Sequence, residues 1–251
     1  AGSVMGTYIG MLGGTDPAAK VLFATHLLSA SVMAVPGSIV LAKMLCPQTE
    51  EATDHVAISG KEKENSNILD AISSGTVTGV KLMTNIAAML LVFISLVALA
   101  NYITEGVIGR YTGLNDWIVK ITDGKAQGLT FQFILGVITS PFMWLIGVPS
   151  QDIMLVGSLL GQKTILNEFV AYFQLQQWKD AGLFMYEKSI LMSTYILCGF
   201  ANISSIGILL GGLGVLAPEK RGLISRIGVP AMIGGALVSV LSATIIGMIL
   251  G

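Results

Sequence analysis

The chain has 251 residues, of which 53% are hydrophobic and 12% charged, and its net charge is −1 at neutral pH. This apolar content exceeds what a soluble core of that length needs, so the composition indicates a membrane protein. The charge balance offers no basic surface for nucleic acid, and the cysteines and histidines lack zinc-type spacing. The apolar residues form runs of about 20 residues, which favours an all-α polytopic membrane protein.

The N-terminal stretch, residues 1–14 (AGSVMGTYIGMLGG), is predicted to be the second part of a helix that ends at a GGTDP turn. It begins inside an apolar segment without an initiator methionine, so we expect a longer protein whose N-terminal part holds half of any site. The next span is predicted at residues 19–45. We expect a break or bend near Pro36, because proline cannot donate a backbone hydrogen bond.

A charged linker at residues 46–67 is the clearly water-soluble part of the sequence. Asn67 is placed to cap a short amphipathic helix, NILDAISSGTVTGV, which is predicted to lie on the membrane surface. A span without central charge follows at residues 81–103. The sequence thus predicts two separate helices after the linker.

The apolar run at 127–178 is too interrupted for ordinary spans, since it is cut at Ser140-Pro141, at 147–152 and at Asn167. Non-helical backbone at membrane depth is tolerated only where it is buried in protein or lines a cavity. Re-entrant or interfacial helices are therefore predicted here.

The last two apolar runs, residues 189–217 and 223–250, are predicted spans. The link between them carries Lys220, Arg221 and Arg226. Basic residues beside spans favour the cytoplasmic side, so this link is predicted to be cytoplasmic.

Glu168 lies between apolar residues in TILNEFVAY. An ionisable group inside an apolar segment costs at least a few kcal/mol, which makes it a candidate for a functional site. The alternative is an acid at the tip of an exposed loop. Asn167 beside it suits a break between two half-helices, because Asn satisfies backbone groups in turns.

A second polar interruption lies in CGFANISSIGILLGG, at residues 198–212. If the helix unwinds at 202–205, the Asn202 amide and the Ser205 hydroxyl face a polar ligand at the membrane midplane. The alternative is that these groups only hydrogen-bond to a neighbouring helix. An intramembrane acid in the preceding segment favours a site.

Three other polar residues carry weaker signals. His26, with Ser29 near it, suggests a proton relay, although a satisfied histidine in a helix contact is the stronger interpretation. Lys163 either pairs with Glu168 or extends to the membrane surface. Asp152 is predicted to be the N-terminal residue of a helix.

Residues 3–17 and 205–218 share a pattern: each runs from Ser through a Gly-bearing half-helix to a Pro. With the orientation above, the two stretches cross the membrane in opposite directions. Such inverted repeats in transporters place the substrate site at the repeat interface.

The motifs GSVMGTYIGML, GVPSQD, LNEFVAY and CGFANISSIGI resemble, in this order and across nearly the whole chain, the C-terminal part of the concentrative nucleoside transporter family. The resemblance implies an inverted-repeat transporter with a re-entrant hairpin and unwound transmembrane helices. It implies a homotrimer in the plasma membrane, or in a bacterial inner membrane, in contact with lipid. The implied function is nucleoside import by alternating access, driven by a sodium or proton gradient, with Na+ as the candidate coupling ion and no other cofactor.

The resemblance also divides the chain into four parts. It implies transport-domain helices of a first repeat at 1–45, a cytoplasmic linker at 46–67, and an interfacial helix with a scaffold helix at 68–103. Residues 104–251 would hold an interfacial helix, the second hairpin and the last two transmembrane helices of the second repeat.

The implied nucleoside site combines a carboxylate, an amide and a hydroxyl, which supply the donors and acceptors that ribose needs. Ser3, with the Val4 carbonyl, resembles part of a sodium site. The family's first hairpin is missing from this sequence, so base preference and coupling ion stay open. The implied substrate contacts are Glu168 as the ribose-binding acid with Asn167 beside it, Asn202 and Ser205 to the ribose, Phe200 near the sugar, and Tyr8 facing the base.

Two other functions are weighed against a coupled transporter. An intramembrane hydrolase would use a Ser with His26 or Glu168, and it needs nucleophile and base within hydrogen-bond reach. His26 lies in a span without a recognisable Ser-containing elbow. An uncoupled channel shares the polar midplane groups but cannot accumulate substrate against a gradient.

Overall fold

The computed structural model describes residues 2–47, 67–122, 126–203 and 218–251, together with 124, 205–207 and 209. In these residues the regular structure is helical throughout, which confirms the predicted fold class. Most of the predicted charged linker, residues 48–66, lies outside the described residues.

The helices are labelled here in chain order. Residues 203, 205–207 and 209 are also helical. The elements are α1 Gly2–Gly13, α2 Pro17–Leu45, α3 Ile68–Asn101, a π-helix Tyr102–Gly109, a turn Arg110–Thr112, α4 Leu114–Ile121, α5 Phe131–Leu145, α6 Ile153–Ile165, α7 Glu168–Asp180, α8 Glu187–Leu197, a 3-10 turn Pro218–Lys220, and α9 Arg221–Ile249.

The turn between α1 and α2 forms where the sequence predicted it. Gly14 has φ of +54°, a left-handed conformation that favours glycine. Asp16 caps α2, since its carboxylate accepts a hydrogen bond of 2.9 Å from the Ala18 amide. Pro17 occupies the start of the helix, where its missing N–H is not needed.

α2 runs without interruption through Pro36, so the helix is not broken there, and the alternative of a bend stays a prediction. A helix in apolar surroundings keeps its remaining backbone hydrogen bonds around a proline, because no water is available to replace them. α2 and α9 both have the length and apolar composition needed to cross a membrane.

α3 begins as predicted, with the Asn67 side chain accepting a hydrogen bond of 2.9 Å from the Asp70 amide. The surface helix and the span that were predicted as separate elements are one continuous helix, Ile68–Asn101. No proline lies between these residues, so nothing in the sequence ends the first part. The interfacial placement of its N-terminal part stays a prediction.

The interrupted run divides into α5, α6 and α7, as the polar breaks predicted. The cut expected at Pro141 is absent, because α5 continues through it. The hydroxyl of Ser140 donates to the Gly136 carbonyl at 2.6 Å, which adds a hydrogen bond in the turn before the proline. The other two predicted cuts are found, between Leu145 and Ile153 and between Ile165 and Glu168.

Small residues bring α5 and α6 into close contact. A Cβ added to Gly157 would lie 2.6 Å from the Thr139 hydroxyl and 3.1 Å from the Gly136 carbonyl. Glycine at such positions lets helix backbones approach closely, which is how helices associate where hydrophobic driving force is weak.

The buried core lies where α1, α2, α5, α6, α7, α8 and α9 meet. Large apolar side chains of α2 point away from this core, including Val21 and Val32, which are 66% and 64% exposed. An apolar surface of this kind suits a helix in contact with lipid. The core contains Leu12, Phe23, Leu27, Val156, Leu159, Tyr172, Met192, Ile196, Leu197, Ala243 and other buried residues.

We expect Gly157→Ala to destabilise the protein by about 1–3 kcal/mol, because the added methyl group forces α5 and α6 apart. The melting temperature of the detergent-purified protein measures this effect. Gly75→Ala is the matched control, since no atom lies within 4 Å of a Cβ at that position. Equal melting temperatures for both variants would contradict the close packing of α5 and α6.

Candidate substrate-binding site

The first polar break separates α6 from α7. Asn167 has extended backbone (φ −168°, ψ 170°), and its side-chain oxygen accepts a hydrogen bond of 2.9 Å from the Val170 amide. Asn167 therefore caps α7, which confirms the prediction that it satisfies backbone groups at a helix break. Glu168 is the first residue of α7 and is half-buried, unlike an acid at an exposed loop tip.

The second break follows α8, which ends at Leu197. Cys198 leaves the helical conformation (φ −72°, ψ 46°), and helical structure resumes only at Ile203. The break therefore occupies 198–202, earlier than the predicted 202–205.

Asn202 and Ser205 begin the helical segment after this break. The Asn202 side-chain oxygen accepts from the Ser205 amide at 2.7 Å, and the Ser205 hydroxyl donates to the Asn202 carbonyl at 2.6 Å. Both residues are buried. Asn202 thus acts as the N-cap of the helical segment that begins directly after it.

The two breaks meet through one hydrogen bond. The Asn202 side-chain amide donates to the Glu168 carboxylate at 3.0 Å. A buried amide and a half-buried carboxylate are therefore held together inside an apolar protein, where leaving either group unsatisfied is costly. The structure brings together these two predicted site residues, while their roles in binding stay predictions.

Tyr8 of α1 packs against α7. Its ring stacks on Tyr172, with centroids 4.0 Å apart and an interplanar angle of 25°, and it lies 6.5 Å from the ring of Phe169. The Tyr172 hydroxyl donates to the Thr194 carbonyl of α8 at 2.8 Å. Tyr8 thus joins α1 to the α6–α7 hairpin, and its predicted contact with a base stays a prediction.

Phe200 is 54% exposed and lines a cavity of about 340 Å³ between α2, the second break and α9. Ser205 also borders this cavity, whereas Glu168 and Asn202 are not among its described lining residues. The structure therefore does not place Phe200 and Glu168 on the wall of one cavity, and the role of Phe200 near the sugar stays a prediction.

The predicted sodium contacts lie in the first turn of α1. The side chain of Ser3 lies outside the described residues, and Val4 is 45% exposed. In the part of the chain that the structure describes, His, Cys, Asp and Glu side chains form no cluster of three or more. A sodium site involving Ser3 and Val4 stays a prediction.

Lys163 is fully buried in α6, and sequence reasoning missed its role. Its ammonium donates to the Ile196 carbonyl at 2.7 Å and to the Ser239 hydroxyl at 3.0 Å. Across the described residues no ion pair joins Lys163 to Glu168, so neither predicted alternative is found. A lysine inside an apolar helix was the available signal, but its partners lie 33 and 76 residues away in sequence.

Asp152 occupies the predicted position immediately before α6, but its carboxylate acts elsewhere. Its two oxygens accept hydrogen bonds from the Met185 and Tyr186 amides at 3.0 and 3.1 Å. Asp152 is fully buried, so it fixes the start of the hairpin to the start of α8.

His26 lies 3.1 Å from the Tyr195 hydroxyl through its Nδ1 atom, and the two rings meet edge-on at 5.7 Å. This geometry agrees with a satisfied histidine in a helix contact. It gives no support to a Ser–His nucleophile arrangement.

Interrupted helices whose polar breaks meet inside an apolar protein are typical of secondary transporters. The profile of a family described as the C-terminus of Na+ dependent nucleoside transporters matches residues 26–247. The chain therefore belongs to this family, as the motif resemblance indicated. It is part of a multi-pass protein of the plasma membrane, or of the inner membrane in a bacterium, and the relatives that it matches are named as transporters and not as enzymes.

Individual proteins agree with this assignment. The chain is 39% identical over 254 residues to an uncharacterized transporter of Haemophilus influenzae, covering 100% of this chain and 56% of that protein. It is 37% identical over 263 residues to sodium/nucleoside cotransporter 1 of Rattus norvegicus, covering 99% of this chain and 37% of the rat protein. The structure of CNTnw in the intermediate 1 state matches with a TM-score of 0.80 at 36% identity, covering 99% of this chain and 55% of that chain. The chain thus spans roughly half the length of these relatives or less.

We expect Asp152→Asn to lower the free energy of unfolding by about 1–3 kcal/mol, because an amide leaves a backbone N–H facing a second donor. Thermal unfolding in detergent measures the loss. Asp116→Asn, at an exposed position in α4, is the matched control and should leave the melting temperature nearly unchanged. A stable Asp152→Asn variant would mean that the Asp152 contacts do not hold the hairpin.

Proposed function

We propose that the full-length protein is a secondary active symporter that imports nucleosides with a sodium gradient by alternating access. The observation that carries the proposal is the Glu168–Asn202 hydrogen bond, which joins the hairpin break to the break after α8. Broken helices that meet in this way bring polar backbone and side-chain groups together at membrane depth, where a polar ligand can bind.

The chemistry of the pair suits the sugar of a nucleoside. Glu168 accepts hydrogen bonds, Asn202 both donates and accepts, and the Ser205 hydroxyl does both. Neighbouring ribose hydroxyls each need a donor and an acceptor, so a carboxylate beside an amide matches them. Phe169 of α7 is 43% exposed and adds an aromatic surface next to Glu168.

Sodium is the proposed coupling ion. Support comes from the family description, which specifies Na+ dependence, and from the rat relative, which is named a sodium/nucleoside cotransporter. A proton gradient is the alternative driving force, and the transport experiment below separates the two.

We propose a homotrimer as the assembled form. α3 carries large exposed apolar side chains, and an exposed apolar helix face needs lipid or a neighbouring subunit to cover it. Light scattering of the detergent-purified protein distinguishes a trimer from a monomer. The exposed residues include Ile68, Leu69, Ile72, Leu91 and Leu96.

Accumulation of radiolabelled uridine in proteoliposomes tests the transport function. We expect accumulation above the external concentration when an inward sodium gradient is imposed, because only a coupled transporter works against a gradient. A proton gradient applied without sodium is the second arm. Equilibration without accumulation would favour the channel alternative, and no uridine entry with either gradient would contradict the proposal.

We expect Glu168→Gln to weaken uridine binding roughly 10- to 100-fold, because a hydrogen bond to a charged group is lost from a desolvated site. Scintillation proximity binding to the purified protein measures this change. Glu187→Gln, which alters an exposed acid at the start of α8, is the matched control. Unchanged uridine affinity in Glu168→Gln would remove Glu168 from the substrate site.

Asn202→Ala should weaken uridine binding in the same direction. This variant also loses the N-cap of the helix that starts at residue 203, which lowers stability by about 1 kcal/mol. Asn202→Asp keeps the cap but places a second carboxylate beside Glu168. An Asn202→Asp variant that folds normally and binds uridine like the native protein would contradict a role for the amide donor.

A further inference from the structure

The side-chain nitrogen of Lys163 lies at the C-terminal end of the half-helix α8. Its ammonium contacts the carbonyl of Ile196, in the last turn of α8, and the hydroxyl of Ser239 in α9. Both partners are uncharged, and the lysine is fully buried. Burying a lysine in a membrane segment costs free energy, so its side-chain nitrogen needs specific polar partners.

The C-terminal end of α8 provides such a partner. The last carbonyls of a helix have no intrahelical partner, and the helix dipole gives this end a partial negative charge. The chain leaves the helical conformation at Cys198, so the carbonyl of Ile196 is one of these unsatisfied groups. A cation is therefore the favourable neighbour for this position.

In transporters with unwound helices, such half-helix ends and freed carbonyls are where coupling cations are coordinated. Here the position beside Ile196 is filled by the side chain of Lys163, at hydrogen-bond distance. The ammonium nitrogen would also lie 3.2 Å from a Cβ added to Gly199, within the break itself. The side chain thus reaches the start of the unwound segment.

The α6–α7 hairpin also places a carboxylate, that of Glu168, at the other end of the break. Glu168, at the start of α7, contacts Asn202, which caps the helical segment after the break. The N-terminal end of a helix carries partial positive charge. Lys163 and Glu168 therefore place complementary charges at the two ends of one unwound segment.

We infer that Lys163 is a tethered cation, which occupies the place of a dissociable ion at the end of α8 and thereby positions Asn202 against Glu168. This inference rests on the proposed function and deepens it. It means that the break at 198–202 is neutralised by the protein itself, so sodium coupling does not require an ion at the end of α8.

Chemical rescue tests the inference in the full-length protein. Lys163→Ala removes the atoms that n-propylammonium restores, so we expect uridine binding to fall roughly tenfold or more and to recover when n-propylammonium is added. Its neutral analogue, 1-propanol, should not restore binding. Lys163→Ala that binds uridine normally, or that folds and gains nothing from n-propylammonium, overturns the inference.

Stability gives a second readout that does not depend on uridine. n-Propylammonium should raise the melting temperature of Lys163→Ala and leave that of the native protein unchanged. If the native protein neither binds nor accumulates uridine, the proposed function is contradicted. The melting temperatures with and without n-propylammonium still decide whether a cation is needed at the end of α8.

Lys163→Met covers the case in which Lys163→Ala does not fold. Replacing a buried charge by an apolar side chain of similar length is often neutral or stabilising when the charge has only a packing role. We expect Lys163→Met to lose uridine affinity or to fold poorly. Lys179→Met, at the end of α7, is the matched control and should keep native stability and uridine affinity. Native-like stability and affinity in Lys163→Met overturn the inference.

Discussion

The break at residues 198–202 is the constraint on which the candidate site depends, because backbone groups that leave the helical hydrogen-bond pattern need other partners in an apolar surrounding. The α6–α7 hairpin satisfies both of its ends, with Lys163 at the Ile196 carbonyl and Glu168 at Asn202. Each contact matches the partial charge of the helix end that it meets. The hairpin and the broken helix therefore depend on each other: neither has its polar groups satisfied alone.

This arrangement explains why the hairpin is fixed at its other end as well. The carboxylate of Asp152, immediately before α6, accepts two backbone hydrogen bonds from the residues that precede α8. α6 is thus held to α8 near both of its ends, by Asp152 and by Lys163. Close packing through Gly157 holds it to α5. Such fixed supports keep Glu168 in place, which a binding group must be if it is to recognise a ligand with useful affinity.

Sequence reasoning predicted the features that depend on local chemistry. Asn167 could be identified as a capping residue, and Glu168 as a site candidate, because a polar pair inside an apolar run is costly unless its groups find specific partners. The second break was predicted to begin at Asn202, although the preference of Asn for N-cap positions would have placed the helix start directly after it. The partners of Lys163 could not be predicted, since they are distant in sequence and brought near only by packing. The helices through Pro36 and Pro141 continue because apolar surroundings favour retaining every remaining backbone bond.

The stacking of Tyr8 on Tyr172 has a mechanical consequence. Tyr8 lies on α1 about one helical turn, roughly 6 Å, from the first turn of that helix. Tyr172 lies about one turn beyond Glu168 on α7 and is anchored to α8 by its hydroxyl. Helices are stiff over a single turn, and stacked rings resist sliding apart. A displacement at the beginning of α1 is therefore passed to Glu168 through two stiff helical turns and a pair of stacked rings, with no loop between them.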